Sequence, residues 1–230
     1  MNPLNKPAWF IAGTDTEVGK TFVTCALIRA LQGKGKQVAA MKPVAAGTVA
    51  KHGMNEDVHA FMELTHAQHA LRDVNPYCFA EPIAPHIAAV HEGAKVDLAE
   101  IRAAFGRLQA ASDFVLVEGA GGFLVPLNAS RSLSDLPGEL GLDVILVVGM
   151  RLGCLNHALL TVEAVKARGL KLAGWIANTP GEKMNAFEEN LATLKFMIPS
   201  PCLGNISYVK KTKVSNAAIS LDIDTLIAQP

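Results

Sequence analysis

The segment with the clearest chemical signature runs from Gly13 to Thr21 and reads Gly-Thr-Asp-Thr-Glu-Val-Gly-Lys-Thr. It follows a short apolar run and precedes a segment with helical periodicity, which is the setting of a phosphate-binding loop. Free backbone N–H groups at the start of a helix, together with the helix dipole, stabilise a polyphosphate there. Lys20 is placed to neutralise the outer phosphates, and the Thr21 hydroxyl to bind the accompanying magnesium ion. Five residues separate Gly13 from Gly19, one more than in the common pattern, and the alternative is an ordinary strand-to-helix turn.

Two carboxylates and a second lysine also occupy positions where chemistry is expected. Glu118 follows the apolar run 114–117, where P-loop proteins usually place an acidic residue, and Asp57 lies near the start of a predicted helix. Mg²⁺ commonly takes one or two carboxylates beside phosphate oxygens, so both are candidate ligands. Lys42 follows a predicted strand and is able to stabilise charge on a transferred phosphoryl group. The alternatives are a helix cap for Asp57, a solvated carboxylate for Glu118 and a surface lysine for Lys42.

Other polar residues at the ends of predicted elements carry weaker signals. Asn178 ends a strand, where its amide either reads a nucleobase edge or only terminates the strand. Asn156 and His157 open a helix, where asparagine is a good N-cap and an anionic ligand is favoured. His86 lies in a proline-rich stretch and is interpreted as a packed histidine in preference to a pocket residue.

The composition limits the class of protein. Half of the 230 residues are apolar, enough for one α/β domain whose sheet is buried on both faces. Lys plus Arg and Asp plus Glu both number 21, and a formal net charge of zero argues against nucleic acid or an anionic membrane as the main partner. The four cysteines are scattered and show no metal-binding spacing. We find no signal-peptide pattern and no apolar run long enough to span a bilayer, and therefore expect a cytoplasmic protein.

Short apolar runs alternate with helical patterns along the chain. The predicted strands are 9–12, 38–41, 114–117, 144–148, 172–177 and 202–206, and the predicted helices are 22–31, one from near Asp57, 97–111, 156–168, 184–196 and 222–229. Asp97 and Glu100 form a variant of the capping box, and 45–93 reads as a less regular, loop-rich portion. This order predicts an α/β fold of the P-loop NTPase type, with a parallel sheet, helices on both faces and a single ATP-binding domain over 1–230. Ligands in such sheets bind at the carboxyl ends of the strands, which is where the residues above are placed.

Six motifs, taken in order, resemble those of the dethiobiotin synthetases. They are the loop 13–21 with its extra residue, Lys42-Pro43-Val44, Asn75-Pro76-Tyr77, Glu81-Pro82 with Pro85-His86, Val117-Glu118-Gly119-Ala120-Gly121-Gly122, and Gly153-Cys154-Leu155-Asn156-His157. Each motif alone has low specificity, but the set in this order is highly specific and extends from about Phe10 to Ile206.

The resemblance implies an ATP-dependent ligase that makes dethiobiotin from 7,8-diaminononanoate, CO₂ (or bicarbonate) and ATP in biotin biosynthesis. In this family one substrate amine takes up CO₂ as a carbamate, and ATP phosphorylates the carbamate. The second amine then closes the cyclic urea and releases phosphate. Mg²⁺ is the implied cofactor and ATP the co-substrate. The family is homodimeric with the substrate site at the interface, and neither nucleic acid nor membrane is an implied partner.

The resemblance also implies roles for individual residues. Lys42 and Lys20 would be catalytic, and Thr21, Asp57 and Glu118 would bind the metal. The implied nucleotide-binding residues are Glu17, Val18, Gly19, Lys20, Thr21, Phe22, Asp57, Glu118, Gly119, Ala120, Gly121, Asn178, Thr179, Ser207, Tyr208 and Val209. The substrate would contact Lys42 and, across the interface, Gly153, Cys154 and Asn156. Ala46 occupies a position where the family generally has Ser or Thr, and Arg151 one where Lys is common.

Two alternative functions share parts of this pattern. A cobyrinate-type amidoligase has a similar ATP domain, but it needs ammonia from a fused glutaminase domain for which 230 residues leave no room. A nucleotide-switch ATPase of the chromosome-partitioning type usually has an additional lysine early in the loop, and residues 13–16 contain none. We therefore expect the ligase.

Overall fold

A computed structural model describes residues 6–49, 53–208 and 220–228. Its strands are β1 (Ala8–Gly13), β2 (Val38–Met41), β3 (Val44–Ala46), β4 (Tyr77–Phe79), β5 (Phe114–Glu118), β6 (Asp143–Gly149), β7 (Leu172–Asn178) and β8 (Cys202–Ile206). Its helices are α1 (Lys20–Gly33), α2 (Glu56–Leu64), α3 (Leu71–Val74), α4 (Pro85–His91), α5 (Leu98–Ala111), α6 (Leu136–Leu140), α7 (Cys154–Ala167), α8 (Phe187–Met197) and α9 (Ile223–Ile227). Six strands form one sheet in the order β2-β5-β1-β6-β7-β8, and every neighbouring pair is parallel.

Both faces of the sheet are covered by helices. Successive side chains of a strand point to opposite faces, so Phe10 of β1 packs in one core and Ile11 in the other. The first core contains Ile101 of α5 and Val162 of α7, and the second contains Leu27 of α1. The predicted parallel α/β fold with helices on both faces is therefore confirmed.

The irregular portion 45–93 contains more structure than the sequence predicted. β3 and β4 pair in parallel as a separate two-stranded sheet, and α3 and α4 lie beside them. The prediction of a mainly loop-rich segment was wrong there because these elements have three to seven residues, too few to show a period.

The predicted capping box at the start of α5 is only half formed. The Asp97 carboxylate accepts a hydrogen bond from the Ala99 N–H at 2.8 Å, as an N-cap should. Glu100, however, accepts from the Tyr77 hydroxyl at 2.6 Å, and that hydroxyl accepts from the Asp97 N–H at 2.9 Å. A tyrosine from β4 thus takes the role predicted for Glu100 and ties the small sheet to α5.

Three adjacent strands deliver the candidate residues to one place. β2, β5 and β1 are neighbours, and their carboxyl ends lead to Lys42, Glu118 and the loop 13–21 respectively. None of the helices within the described ranges is long and apolar enough to cross a membrane.

Candidate active site

The loop between β1 and α1 is built to leave helix amides available. Gly19, the N-cap of α1, has a φ of 87° and has no side chain that could accept a hydrogen bond from the first turn. Lys20 donates to the Asp15 carbonyl at 3.0 Å and has no other hydrogen-bond acceptor in the described part of the chain. The side-chain amide of Asn178 donates a hydrogen bond to the Val18 carbonyl at 2.8 Å and so fixes the loop to the end of β7. The first amides of α1 and the Lys20 ammonium are therefore available to an anion.

Lys42 is buried between the two candidate carboxylates. Its ammonium lies 2.8 Å from Asp57 Oδ2 and 2.7 Å from Glu118 Oε1, and it also donates to the Gly119 carbonyl at 3.2 Å. Lys42 is 4% exposed and Glu118 is fully buried, so neither the surface-lysine nor the solvated-carboxylate alternative holds. The helix-cap alternative for Asp57 fails as well, because Asn55 is the N-cap of α2 and accepts from the Asp57 N–H.

Three oxygens converge beside this lysine. The Thr21 hydroxyl lies 2.7 Å from Asp57 Oδ1 and 2.9 Å from Glu118 Oε1. A hydroxyl has one proton, so it can donate fully to only one of the two carboxylates. The described residues contain no cluster of three or more His, Cys, Asp or Glu side chains suited to a metal. Two carboxylates and a hydroxyl beside a phosphate-binding loop are nevertheless the donor set that Mg²⁺ uses when phosphate supplies further oxygens.

Burial and charge shift the pKa values of this group in opposite directions. Burial and the nearby charge of Lys42 lower the pKa of Lys20 to about 8, which still leaves the ammonium mostly protonated at neutral pH. Burial would also lower the pKa of Lys42, but attraction to Glu118 and Asp57 raises it above its ordinary value. Burial opposes ionisation of Asp57, and the Lys42 ammonium nevertheless holds its pKa below the usual range. The site is therefore a set of paired charges.

Thr24 is a site residue that the sequence analysis missed. Its hydroxyl lies 2.5 Å from Glu118 Oε2 and 3.0 Å from the Lys20 carbonyl, and its side chain is buried. One turn of α1 separates Thr21 from Thr24, so both hydroxyls reach the same carboxylate. The spacing was visible in the sequence, but a threonine inside a helix is ordinarily read as a packing residue.

Replacing Thr24 with valine should lower the free energy of unfolding by about 1–3 kcal/mol, because the buried Glu118 carboxylate loses a donor while the volume is kept. Urea denaturation measures the change. Thr193→Val is the control, since Thr193 is half-buried on α8 and its hydroxyl donates within its own helix, to the Glu189 carbonyl. Equal effects of the two changes would show that the Thr24 contact contributes nothing specific.

A cavity of about 680 Å³ adjoins these groups. One side is polar and contains Lys20, Lys42 and Asp57, while the other is apolar and is lined by 82–85, Ala46 and Val125. The carbonyls of Ala46 and Gly47 accept from the Asn55 side chain at 3.2 and 2.9 Å, which holds the backbone at Ala46 in place. The cavity thus suits a molecule with an aliphatic body and polar ends.

Some of the predicted nucleotide and substrate residues line this cavity, and others lie outside it. Those that line it are Glu17, Gly19, Lys20, Thr21, Asp57, Ala120 and Gly121, together with Lys42 from the substrate set. Val18 is buried, and Phe22 is half-buried against the core that contains Leu27. Asn178 and Thr179 are buried at the end of β7, Ser207 and Tyr208 are exposed after β8, and Val209 lies outside the described residues.

The turn before α7 does not line the cavity of its own chain. Gly153, the N-cap of α7, has a φ of 93° and provides no side-chain cap, while Cys154 is buried and Asn156 exposed. Arg151 of this turn forms an ion pair with Asp15 of the phosphate-binding loop. The structure therefore brings this turn next to the loop but not into the same pocket.

His86 also differs from a ligand-binding histidine. It lies on α4, and its Nδ1 is buried without a hydrogen-bond partner in the part of the chain described. It does not line the active-site cavity. The interpretation as a packed residue is the one that agrees with this placement.

Comparisons with known proteins agree with this geometry. A family model described as an AAA domain matches residues 8–216. The ATP-dependent dethiobiotin synthetase BioD of Aromatoleum aromaticum is 52% identical over 216 residues, which cover 93% of this chain and 96% of that protein. The corresponding protein of Nitrosospira multiformis is 47% identical over 94% of each chain.

Solved structures are similar in fold. The MinC:MinD cell division complex of Aquifex aeolicus contains a chain that matches with a TM-score of 0.57 at 14% identity, covering 96% of this chain and 94% of that one. A ParA family ATPase from Chlorobium tepidum matches with a TM-score of 0.55 at 12% identity, covering 97% and 90%. These identities are too low to indicate a shared function, whereas the curated relatives match at high identity over nearly their whole length. The chain therefore belongs to the family of the ATP-dependent dethiobiotin synthetases.

Proposed function

We propose that this protein is an ATP-dependent ligase that makes dethiobiotin from 7,8-diaminononanoate, CO₂ and ATP, through one catalytic domain over residues 1–230. The observation that carries the proposal is the Lys42 ammonium, buried between Asp57 and Glu118 beside a phosphate-binding loop and at the edge of a half-apolar cavity. The family named above catalyses a reaction that needs such an arrangement. It requires a cation where an anionic acceptor meets a transferred phosphoryl group.

The reaction divides into three balanced steps. One amine of the substrate attacks CO₂ and loses a proton, which gives a carbamate. A carbamate oxygen then attacks the γ-phosphorus of ATP, the bond to the β-phosphate oxygen breaks, and ADP leaves. Finally the second amine attacks the carbamate carbon and loses a proton, the bond to the phosphate oxygen breaks, and the cyclic urea and phosphate are formed.

The residues of the chain act by position and charge. Lys20 and the free amides of α1 hold the phosphates, and Lys42 stabilises the negative charge shared by the carbamate and the transferred group. The apolar side of the cavity, 82–85 with Ala46 and Val125, contacts the aliphatic chain of the substrate and excludes water. Little covalent chemistry is required of the protein, as is usual for phosphoryl transfer.

Thr21, Asp57 and Glu118 would hold Mg²⁺. When bound, Mg²⁺ neutralises phosphate charge as phosphoryl transfer proceeds. The support comes from the donor set itself, in which the Thr21 hydroxyl lies 2.7 Å from Asp57 Oδ1 and 2.9 Å from Glu118 Oε1. Lys42 now donates to Asp57 Oδ2 and Glu118 Oε1, and with Mg²⁺ bound its ammonium would move from these carboxylates toward the cavity.

The nucleoside would lie toward the ends of β7 and β8. Asn178, Thr179, Ser207, Tyr208 and Val209 are the proposed contacts. The side-chain N–H₂ group of Asn178 already donates a hydrogen bond to the Val18 carbonyl. Its side-chain oxygen is therefore the atom left for an exocyclic amine of the base, which adenine possesses.

We also propose that two copies of the chain form the complete site. The turn with Gly153, Cys154 and Asn156 lies outside the cavity of its own chain, so its proposed contact with substrate requires a partner. Leu152 is 93% exposed in this turn, and Leu160 is exposed on the following helix. Exposed leucines beside a proposed contact are typical of a protein–protein interface.

Replacing Leu152 with aspartate should convert the dimer to a monomer and raise the KM for the diamine by at least ~10-fold, because burying an unpaired carboxylate in the interface is unfavourable. Light scattering gives the mass and steady-state kinetics the KM. Phe196→Asp is the matched control: Phe196 is 90% exposed and lies on α8, outside the turn. A wild-type protein that is monomeric and active would contradict the proposal.

The function is tested by ADP release. Mg²⁺, ATP, 7,8-diaminononanoate and bicarbonate together should give ADP and dethiobiotin in equal amounts, and omission of the diamine should abolish both. ADP release that needs DNA or a protein partner but not the diamine would indicate a nucleotide-switch ATPase instead.

A further inference from the structure

A second cavity, of about 710 Å³, lies between α5, α6 and the C-terminal end of α7. We name it the α5–α6 cavity. None of its lining residues lines the active-site cavity. Arg102, Phe105 and Gln109 of α5 contribute to it and share one face of that helix. Its volume falls in the range of small-molecule sites, about 300–1,000 Å³.

Arginines dominate the charge of the α5–α6 cavity. Arg102 Nη2 lies 2.7 Å from Glu139 Oε2, and Arg131 Nη1 lies 3.3 Å from Glu139 Oε1. Arg168 also lines the cavity, with its guanidinium 5.8 Å from the centroid of the Phe123 ring. A guanidinium has five N–H donors, so one shared carboxylate leaves most donors of Arg102 and Arg131 available. The unused N–H groups of these two planar guanidinium groups are suited to binding a carboxylate or a phosphate group.

The other acidic residue of the cavity does not balance this charge in the same way. The carboxylate of Asp135 accepts from the Ser132 N–H at 3.0 Å and caps its own turn. Three arginines thus face one glutamate and one aspartate that is already engaged. The balance favours an anionic ligand.

Gln109 gives an independent sign of a ligand. It is 1% exposed, and its Oε1 accepts no hydrogen bond in the described part of the chain, although it lines the cavity. A buried acceptor left without a donor is unfavourable, because it has lost its hydrogen bonds to water. A ligand with a hydroxyl group would supply the missing donor.

We propose that the α5–α6 cavity binds a small organic acid that has a hydroxyl group beside one or two carboxylate or phosphate groups. The acidic groups pair with Arg102 and Arg131, and the hydroxyl donates to Gln109 Oε1. The site is separate from the proposed ligase reaction, so it stands or falls independently of that activity.

Isothermal titration with L-malate and with 3-phosphoglycerate tests the proposal, since the two acids share the hydroxyl and differ in having a carboxylate or a phosphate. At least one should bind at millimolar concentration. The double variant Arg102→Ala/Arg131→Ala should weaken binding by at least ~10-fold, because charge-assisted contacts are lost. Gln109→Met should weaken it by about 5-fold, the equivalent of one hydrogen bond, without lowering the unfolding midpoint.

Two controls separate this site from others. Arg72→Ala removes one exposed positive charge on α3 and should leave binding unchanged. Lys20→Ala removes the phosphate-loop lysine and should also leave it unchanged. The proposal is overturned if neither acid binds, if the double arginine variant binds as well as the wild type, or if Lys20→Ala is the change that abolishes binding. In the first two cases Arg102, Arg131 and Glu139 would form only a surface ion-pair network.

Discussion

Replacing Lys42 with alanine should lower kcat by at least ~10², while the affinity for ATP stays within a few-fold of the wild type. The ammonium is the positive charge next to the position where carbamate and phosphoryl oxygens meet in the proposed mechanism. It is not part of the phosphate loop, where Lys20 and the α1 amides remain. Steady-state kinetics and equilibrium binding of a non-hydrolysable ATP analogue measure the two quantities.

The same change has a predictable effect on stability. Without Lys42 the buried Glu118 and the half-buried Asp57 face each other unpaired, which should cost about 3–5 kcal/mol. Lys42→Arg keeps the charge with a different shape, and should fold better than the alanine variant but remain strongly impaired in turnover. Lys171→Ala is the control, because Lys171 is exposed and pairs with Asp143, at 3.2 Å. An equal loss of ATP affinity and turnover in Lys42→Ala would contradict the role assigned to this lysine.

Replacing Gly19 with alanine should lower turnover by about 10² through displacement of the phosphate loop. The φ of 87° lies in the left-handed region, and an added Cβ would lie 2.2 Å from the Asn178 side-chain nitrogen. That nitrogen already donates to Val18, so it cannot move without releasing the loop. The left-handed conformation alone should cost about 1–2 kcal/mol of stability. Chemical denaturation and kinetics measure both effects.

Gly33→Ala is the matched control for this prediction. Gly33 ends the same helix, α1, and an added Cβ there would meet nothing within 4 Å. Its alanine variant should be unchanged in activity and more stable by about 0.4–1 kcal/mol, because the unfolded chain loses freedom. If Gly19→Ala behaved like Gly33→Ala, the loop geometry described here would be wrong.

Residues next to regular elements could be predicted from the sequence. The strands β2 and β8 have the predicted bounds, because four or five mostly apolar or small residues between turn signals define a short strand. Lys42, Glu118 and the loop 13–21 follow from the rule that ligands bind at the carboxyl ends of parallel strands. The sequence did not show that β2 and β5 are neighbours, which is what turns two separate charges into a pair.

Contacts that depend on short or distant elements could not be predicted. Asn55, and not Asp57, caps α2, and both residue types are good caps, so sequence alone leaves that choice open. Tyr77 completes the cap of α5 from a three-residue strand that has no detectable period. Arg102 and Arg131 meet only through the packing of α5 near α6, and their sequence positions give no sign of it.

The fate of the carbonate oxygens tests the central claim most directly. With ¹⁸O-labelled bicarbonate and unlabelled water in a short incubation, the carbamate oxygen that attacks ATP stays with phosphorus when the ring closes. Mass spectrometry should therefore find one labelled oxygen in the released phosphate and one in the urea carbonyl of dethiobiotin. Phosphate without label, formed while dethiobiotin accumulates, would contradict the account, because ATP would then have been hydrolysed by water and not by a carbamate held beside Lys42.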